Sequence, residues 1–228
     1  ENKYAQEFEI SFDSPIVGSY YGELMKDISD KNHIRELTSD SATSKMCAWD
    51  LGMSDSTSIW VAETIGGEIR LMDYYENNGQ SLSHYIEWLD EKGYRDYTQI
   101  LPHDVMVKEL QTGKSRFEFL SDAGLQIDVA PKSSVEDGIQ AVRRMIPNCW
   151  FNKDTTRQGV ECLRNYRRVF NEKLNVFQEK PLHDWSSHCA DAFRYLALGL
   201  DTATIQRTNW AKPYETTYDG ESYKQQYL

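Results

Sequence analysis

No apolar run in these 228 residues reaches the roughly 20-residue length of a membrane-spanning helix, so no membrane is expected as a partner. Cysteine is scarce. Cys47, Cys149, Cys162 and Cys189 are widely scattered with no C-x-x-C pair, which argues against a zinc site or a disulfide frame and for buried reduced thiols in a cytosolic protein. Positive charge is outnumbered, 25 Lys and Arg against 36 Asp and Glu, and the net charge of -11 argues against a generic nucleic-acid coat. There is no internal repeat and no low-complexity block. No leader-like segment opens the chain either. Glu1-Asn2-Lys3-Tyr4 is polar and lacks an initiator Met, which reads as an internal piece of something longer.

A hydrophobic fraction of 39% beside 27% charged residues describes a soluble globular protein long enough to bury a real core. Residues 1–40 hold nine acids against four bases, with Gly18 and Pro15 breaking any long helix, and read as a linker or packed arm with a short helix over 23–35. The core then begins. Strands are expected at 46–51, 58–63 and 68–76, the last two joined by a Gly66-Gly67 hairpin turn. Further strands are expected at 98–101, 125–130 and 149–151. Helices are expected at 81–92, stopped by Gly93, and at 115–123, 134–145, 155–170 and 184–201. A small hairpin is expected at 171–178, and 203–228 is a Tyr-rich polar tail. Three hairpin-joined strands followed by alternating strands and helices predict an α/β fold with a mixed β-sheet and helices on both faces. The domain reading is therefore arm 1–40, body 41–202 and tail 203–228.

The stretch Met46 to Glu63 organises this pattern. A rigid strand ends in Asp50, Gly52 breaks it, and Ser54 to Thr57 form a polar turn. Asp104 ends the strand at 98–101, and neighbouring strands of an α/β sheet would bring both carboxylates to one edge. Asp184, His188 and Asp191 are spaced i, i+4, i+7, so all three are expected on one helical face. Several Asp with no His or Cys pair at zinc spacing favour a hard cation, Mg²⁺ or Mn²⁺. Two such ions about 4 Å apart can clamp a phosphodiester. Each acid also has a plainer role. Asp50 can shape a turn, Asp104 can cap a loop, Asp184 can cap the last helix, and Asp191 can sit on a helix surface.

Local positive charge exists despite the overall deficit. Between Arg143 and Lys173 there are eight Lys or Arg against three acids, a local net of +5. Arg157, Arg164, Arg167, Arg168 and Lys173 could form a phosphate track for DNA, and Lys114 and Arg116, beside Gly113, a clamp; a solvated helix face explains the same charges.

Asp50-Leu51-Gly52 with Asp55 and Thr57, Pro102-His103-Asp104, and His183-Asp184-Trp185-Ser186-Ser187-His188-Cys189-Ala190-Asp191-Ala192-Phe193-Arg194-Tyr195 together resemble the C-terminal nuclease domain of the large terminase subunit of tailed bacteriophages. Gln6 to Glu9 and Phe12 to Pro15 resemble the end of that family's ATPase domain. The resemblance implies a ribonuclease H-like fold and a metal-dependent endonuclease that cuts concatemeric viral DNA during genome packaging. It matches Asp50, Asp104 and Asp191 to the metal-binding carboxylates, with Asp55 in support. Asp184 and His188 match the motif without a defined role. Implied partners are double-stranded DNA, the portal protein and the small terminase subunit, in the host cell cytoplasm rather than the mature virion. No G-x-x-x-x-G-K-[ST] occurs, so DNA translocation is not expected of this chain.

Two other readings fit parts of the pattern. Asp50-Leu51-Gly52 followed by Asp55-Ser56-Thr57 also looks like the first phosphate loop of actin-like ATPases and sugar kinases. Those folds need a second Gly-rich loop, and the single glycine pair here is expected in a hairpin. The chain could instead be a non-catalytic docking module whose acidic surface and Tyr-rich tail bind a protein.

Overall fold

The structure is a computed structural model and describes residues 15–39, 44–52, 56–108 and 113–210, with 201–210 described by backbone alone. Asp55, the segment 1–14 and the tail past 210 lie outside the described residues.

The hairpin-joined strands are β2 (Ser44–Asp50), β3 (Ser56–Ile65) and β4 (Glu68–Asn78), paired antiparallel in succession. Gly66 and Gly67 turn the β3–β4 hairpin with φ of 55° and 96°, a left-handed pair that residues with a Cβ rarely adopt. Strand β5 (Thr98–Leu101) pairs parallel to β2, and β6 (Ile127–Val129) parallel to β5. On the other flank β7 (Cys149–Asn152) pairs parallel to β4, and the two-residue β1 (Ile34–Arg35) parallel to β7. The sheet order is β1-β7-β4-β3-β2-β5-β6. The mixed sheet expected from the sequence is therefore formed.

Side-chain alternation along β2 divides the core in two. Cys47, Trp49 and Leu51 face one side, where they meet Ile59, Val61, Tyr85, Trp88 and Leu120. That side is covered by α2 (Leu82–Lys92) and α3 (Arg116–Asp122). Met46 and Ala48 face the other side with Trp60, Ala62, Leu71, Val142, Val160, Phe193 and Leu196. That side is covered by α1 (Gly22–Asp30), α4 (Val135–Met145), α5 (Arg157–Asn165) and α6 (Ser187–Trp210). With both faces buried, β2 reads as a continuous apolar run, and the period of two decides only which core each residue enters. Asp50 continues the Met46–Ala48 alternation, so it points to the α6 side.

Three expectations about elements are corrected. The helix expected over 23–35 ends at Asp30, Asn32 turns left-handed at φ 60°, and the chain then enters β1. The helix expected over 155–170 stops at Asn165, and Arg168–Asn171 is instead strand β8, paired with β9 (Val176–Pro181) in a separate two-stranded sheet. The reason is long-range. Tyr166 is 1% exposed, packs against the rings of Tyr20 and Tyr21, and its carbonyl accepts from the Tyr20 N–H at 2.8 Å. Those contacts are worth more than another helical turn. The last helix begins at Ser187, not Asp184, and runs to Trp210. Among the described residues no helix is long and apolar enough to cross a membrane.

Candidate active site

The site lies where β2 and β5 end side by side. Their parallel register sets Ala48 against Ile100, so Asp50 comes level with Pro102. Asp104 follows in the short turn His103–Met106, exposed, just beyond the strand end. The carboxyl ends of adjacent parallel strands are where open α/β sheets place their ligands.

Helix α6 crosses this edge and brings two more groups. His188 Nδ1 lies 2.9 Å from Asp50 Oδ2, and both side chains are largely buried. An ionised carboxylate only accepts, so this bond needs the proton on Nδ1. The His183 ring meets His188 edge-on, with centroids 5.6 Å apart. One turn after His188, Asp191 takes two bonds on the same oxygen. Arg194 Nε and Nη2 donate to Oδ1 at 3.1 and 2.8 Å.

Burial raises the pKa of Asp50 above its ordinary value. The His188 hydrogen bond opposes this, and the negative charge of Asp191 adds to it. Tyr195 lies on the same helix. Its hydroxyl is pushed up to about 12, first by burial and then by the charge of Asp50, with Asp191 and Asp104 adding smaller pushes against the opposing Arg194. Geometry places Asp50 and Asp104 at and just beyond the ends of two adjacent parallel strands, and α6 carries Asp191 one turn past His188, which holds Asp50.

The other expected residues divide. Asp184 precedes α6, so it does not share a helical face with His188 and Asp191. Its Oδ1 accepts from the Ser186 N–H at 3.0 Å and the Ser186 hydroxyl at 2.6 Å, which makes it a brace for the entry turn. Its buried Oδ2 has no hydrogen bond, although Arg167 Nη2 stands 3.4 Å away as an ion pair. We read this contact as charge compensation without bond geometry. Arg116 Nη1 donates to the Leu51 carbonyl at 3.2 Å, which ties it to the residue after Asp50. Arg168 lies over the Tyr20 ring, 5.4 Å from its centroid. Arg164 pairs with Glu161 and Lys114 with Asp122, both at the surface. Arg157 and Lys173 are exposed. Arg116 and Arg167 are thus anchored to segments of the site, and the remaining cations are not. Arg194 had no role assigned from sequence, although an Arg three residues after an Asp on a helix is a recognisable ion-pair spacing.

The donor chemistry suits a hard divalent cation. The acids offer oxygen only, Asp50 is crowded by the charge of Asp191, and a cation at this edge would relieve both. Among the described residues no group of three or more His, Cys, Asp or Glu stands ready-built to hold a metal ion, and Asp55 is not among them.

No family model matches the chain. The large terminase subunit of Escherichia phage T5 is 23% identical over 210 residues, covering 86% of this chain and 44% of that protein. Among solved structures, the large terminase of a thermophilic bacteriophage in complex with ATP-γ-S aligns at a TM-score of 0.61 and 18% identity, over 76% of this chain and 44% of that one. The P22 large terminase nuclease domain aligns at 0.57 and 17% identity, over 73% of this chain and 86% of that one. The large terminase nuclease of thermophilic phage G20c with bound magnesium aligns at 0.54 and 17% identity, over 80% of this chain and 98% of that one. A cobalt-bound structure of the same nuclease aligns at 0.55. The chain thus spans less than half of the whole terminases it matches and nearly all of the G20c nuclease. The resemblance read from its motifs holds in sequence and in fold, and the fold is the ribonuclease H-like one of terminase nuclease domains.

Proposed function

We propose that this chain is the nuclease part of a large terminase subunit, a two-metal-ion endodeoxyribonuclease that cuts concatemeric viral DNA as packaging begins and ends. The observation that carries this reading is the placement of Asp50 and Asp104 at and just beyond the carboxyl ends of two adjacent parallel strands, with α6 bringing His188 to 2.9 Å from Asp50 and Asp191 one turn further on. The likeness to nucleases solved with magnesium and cobalt supports the choice of divalent ions. Asp50, Asp104 and Asp191 would hold the ions, Mg²⁺ or Mn²⁺, with Asp55 in support. When bound, such ions activate water and stabilise the leaving oxygen of a phosphodiester.

The remaining work falls to protein groups. His188 orients Asp50 by holding Oδ2. Arg116 and Arg167, fixed beside the strand end and the entry turn, would meet backbone phosphates without reading bases. Arg157, Arg164, Arg168, Lys173 and Lys114 would extend that track. Double-stranded DNA is the substrate, with the portal protein and the small terminase subunit as partners in the host cytoplasm. The domain boundaries at 40 and 202 belong to the same proposal.

The test is incubation of supercoiled plasmid with the protein and Mn²⁺, with and without chelator. Nicking that needs the metal and is lost in Asp50→Asn is expected. Absence of nicking in every divalent metal, or an Asp50→Asn variant as fast as the parent, overturns the reading.

A further inference from the structure

We infer that Arg194 is a positioning residue for Asp191, holding one carboxylate oxygen and leaving the other outside its grip, where it could serve a metal ion. This rests on the reading of Asp191 given above. Both donors of Arg194, Nε at 3.1 Å and Nη2 at 2.8 Å, fall on Oδ1. An arginine facing a carboxylate squarely would take one oxygen with each nitrogen. Placing both nitrogens on Oδ1 leaves Oδ2 outside the grip. His188 treats Asp50 in the same way, holding Oδ2 and sparing Oδ1.

The grip is rigid because Arg194 is itself enclosed. It is only 6% exposed, and its Cζ lies 5.6 Å from the centre of the Tyr195 ring. On the far side its seat is Gly138 of α4. A Cβ there would come within 3.2 Å of both Cδ and Nη1 of Arg194. Gly138 lies inside α4, its N–H closing the first turn onto the Ser134 carbonyl, where alanine is otherwise the better residue, so a glycine there leaves the space that the guanidinium stem occupies. A side chain enclosed on both sides holds the carboxylate it grips in one place. Loss of such outer partners typically weakens metal binding by about 10- to 100-fold.

Gly138→Ala tests this without touching a charge or an acid. It crowds Arg194 while favouring α4, so the fold should persist. Arg194→Lys keeps the charge but loses the two-point grip, and Arg194→Gln loses both. The primary readout is Mn²⁺ affinity of the DNA-free protein by calorimetry. The second is the apparent metal constant against kcat in plasmid nicking. Gly138→Ala should weaken Mn²⁺ binding by about 10-fold, with kcat at saturating metal and melting temperature retained. Arg194→Lys should fall between the parent and Arg194→Gln. If Gly138→Ala and Arg194→Lys bind Mn²⁺ within about twofold of the parent while Asp191→Asn loses binding, Arg194 is a structural counter-ion and the inference fails. If Asp191→Asn binds Mn²⁺ like the parent, the assignment of Asp191 fails first, and this inference with it.

Discussion

Asp191→Ala should destabilise the protein even where no metal is present, because it strips a buried cation of its partner. The Arg194 side chain is 8% exposed and that of Asp191 31% exposed. Each hydrogen bond to a charged group contributes about 1.5–3 kcal/mol. Removing one partner of a buried pair costs about 3–5 kcal/mol, since the remaining charge is left uncompensated. Asp191 is open enough for water to take part of its place, so the cost falls at or just below the lower end of that range, about 2–3 kcal/mol. At this chain size 1 kcal/mol moves the melting temperature by about 2–4 °C, so a fall of about 4–12 °C is expected. The measurement is thermal unfolding in chelator, followed by circular dichroism. Asp191→Asn, which keeps an acceptor oxygen for Arg194, should lose less. An Asp191→Ala variant melting within about 1 °C of the parent would show that Arg194 does not depend on Asp191.

Asp50 should behave in the opposite sense. Its pKa is raised in the fold, mainly by burial, above the ordinary 3.8, so the folded state binds its proton more tightly than the unfolded chain. Stability is then lost as pH rises from the ordinary value through the raised one. In chelator, Asp50→Asn should melt higher than the parent at neutral pH, with the gain vanishing below pH 3.8; equal melting at neutral pH would contradict the burial argument. For DNA binding, Arg167→Ala with Arg168→Ala in an Asp50→Asn background should flatten the slope of log K against log salt by about 1.8, two phosphate contacts' worth. An unchanged slope would remove the β8 strand and its approach from the track.

The sheet was legible because its signals are local. Strand β4 and its turn follow from Gly66-Gly67 and the alternation after it. Helix α2 stops at Gly93, which takes the left-handed φ of 75°. Helix α4 begins at Ser134, whose hydroxyl accepts from the Asp137 N–H at 3.1 Å. Where the reading went astray, the deciding contacts came from far along the chain. Residues 166–168 carry no helix breaker. They leave helical geometry because Tyr166 packs against Tyr20 and Tyr21, and the Arg168 N–H donates to the Gly18 carbonyl at 3.0 Å. No periodicity in 155–170 encodes a partner about 150 residues earlier, and propensity yields to such packing.

The acids of the last motif show what spacing can and cannot carry. Asp184, His188 and Asp191 fit a helical face as an arithmetic pattern, yet a face exists only for residues within the helix. Ser186 and Ser187 intercept the chain first. Ser186 bonds back to Asp184 Oδ1, and the Ser187 hydroxyl donates to the Leu182 carbonyl at 3.2 Å while accepting from the Asp184 N–H at 3.0 Å. Serine and aspartate make such local bonds in competition with helix, and two serines after an Asp were the signal that the turn lies there. Arg194 is the converse case. It stands among Phe193, Leu196 and Ala197, all buried, where a cation is tolerated only with a partner. Asp191, three residues earlier within the same helix, is the one position from which that partner could come along the chain. The pair was therefore readable from the chain alone, by asking of a charged residue in an apolar stripe what neutralises it.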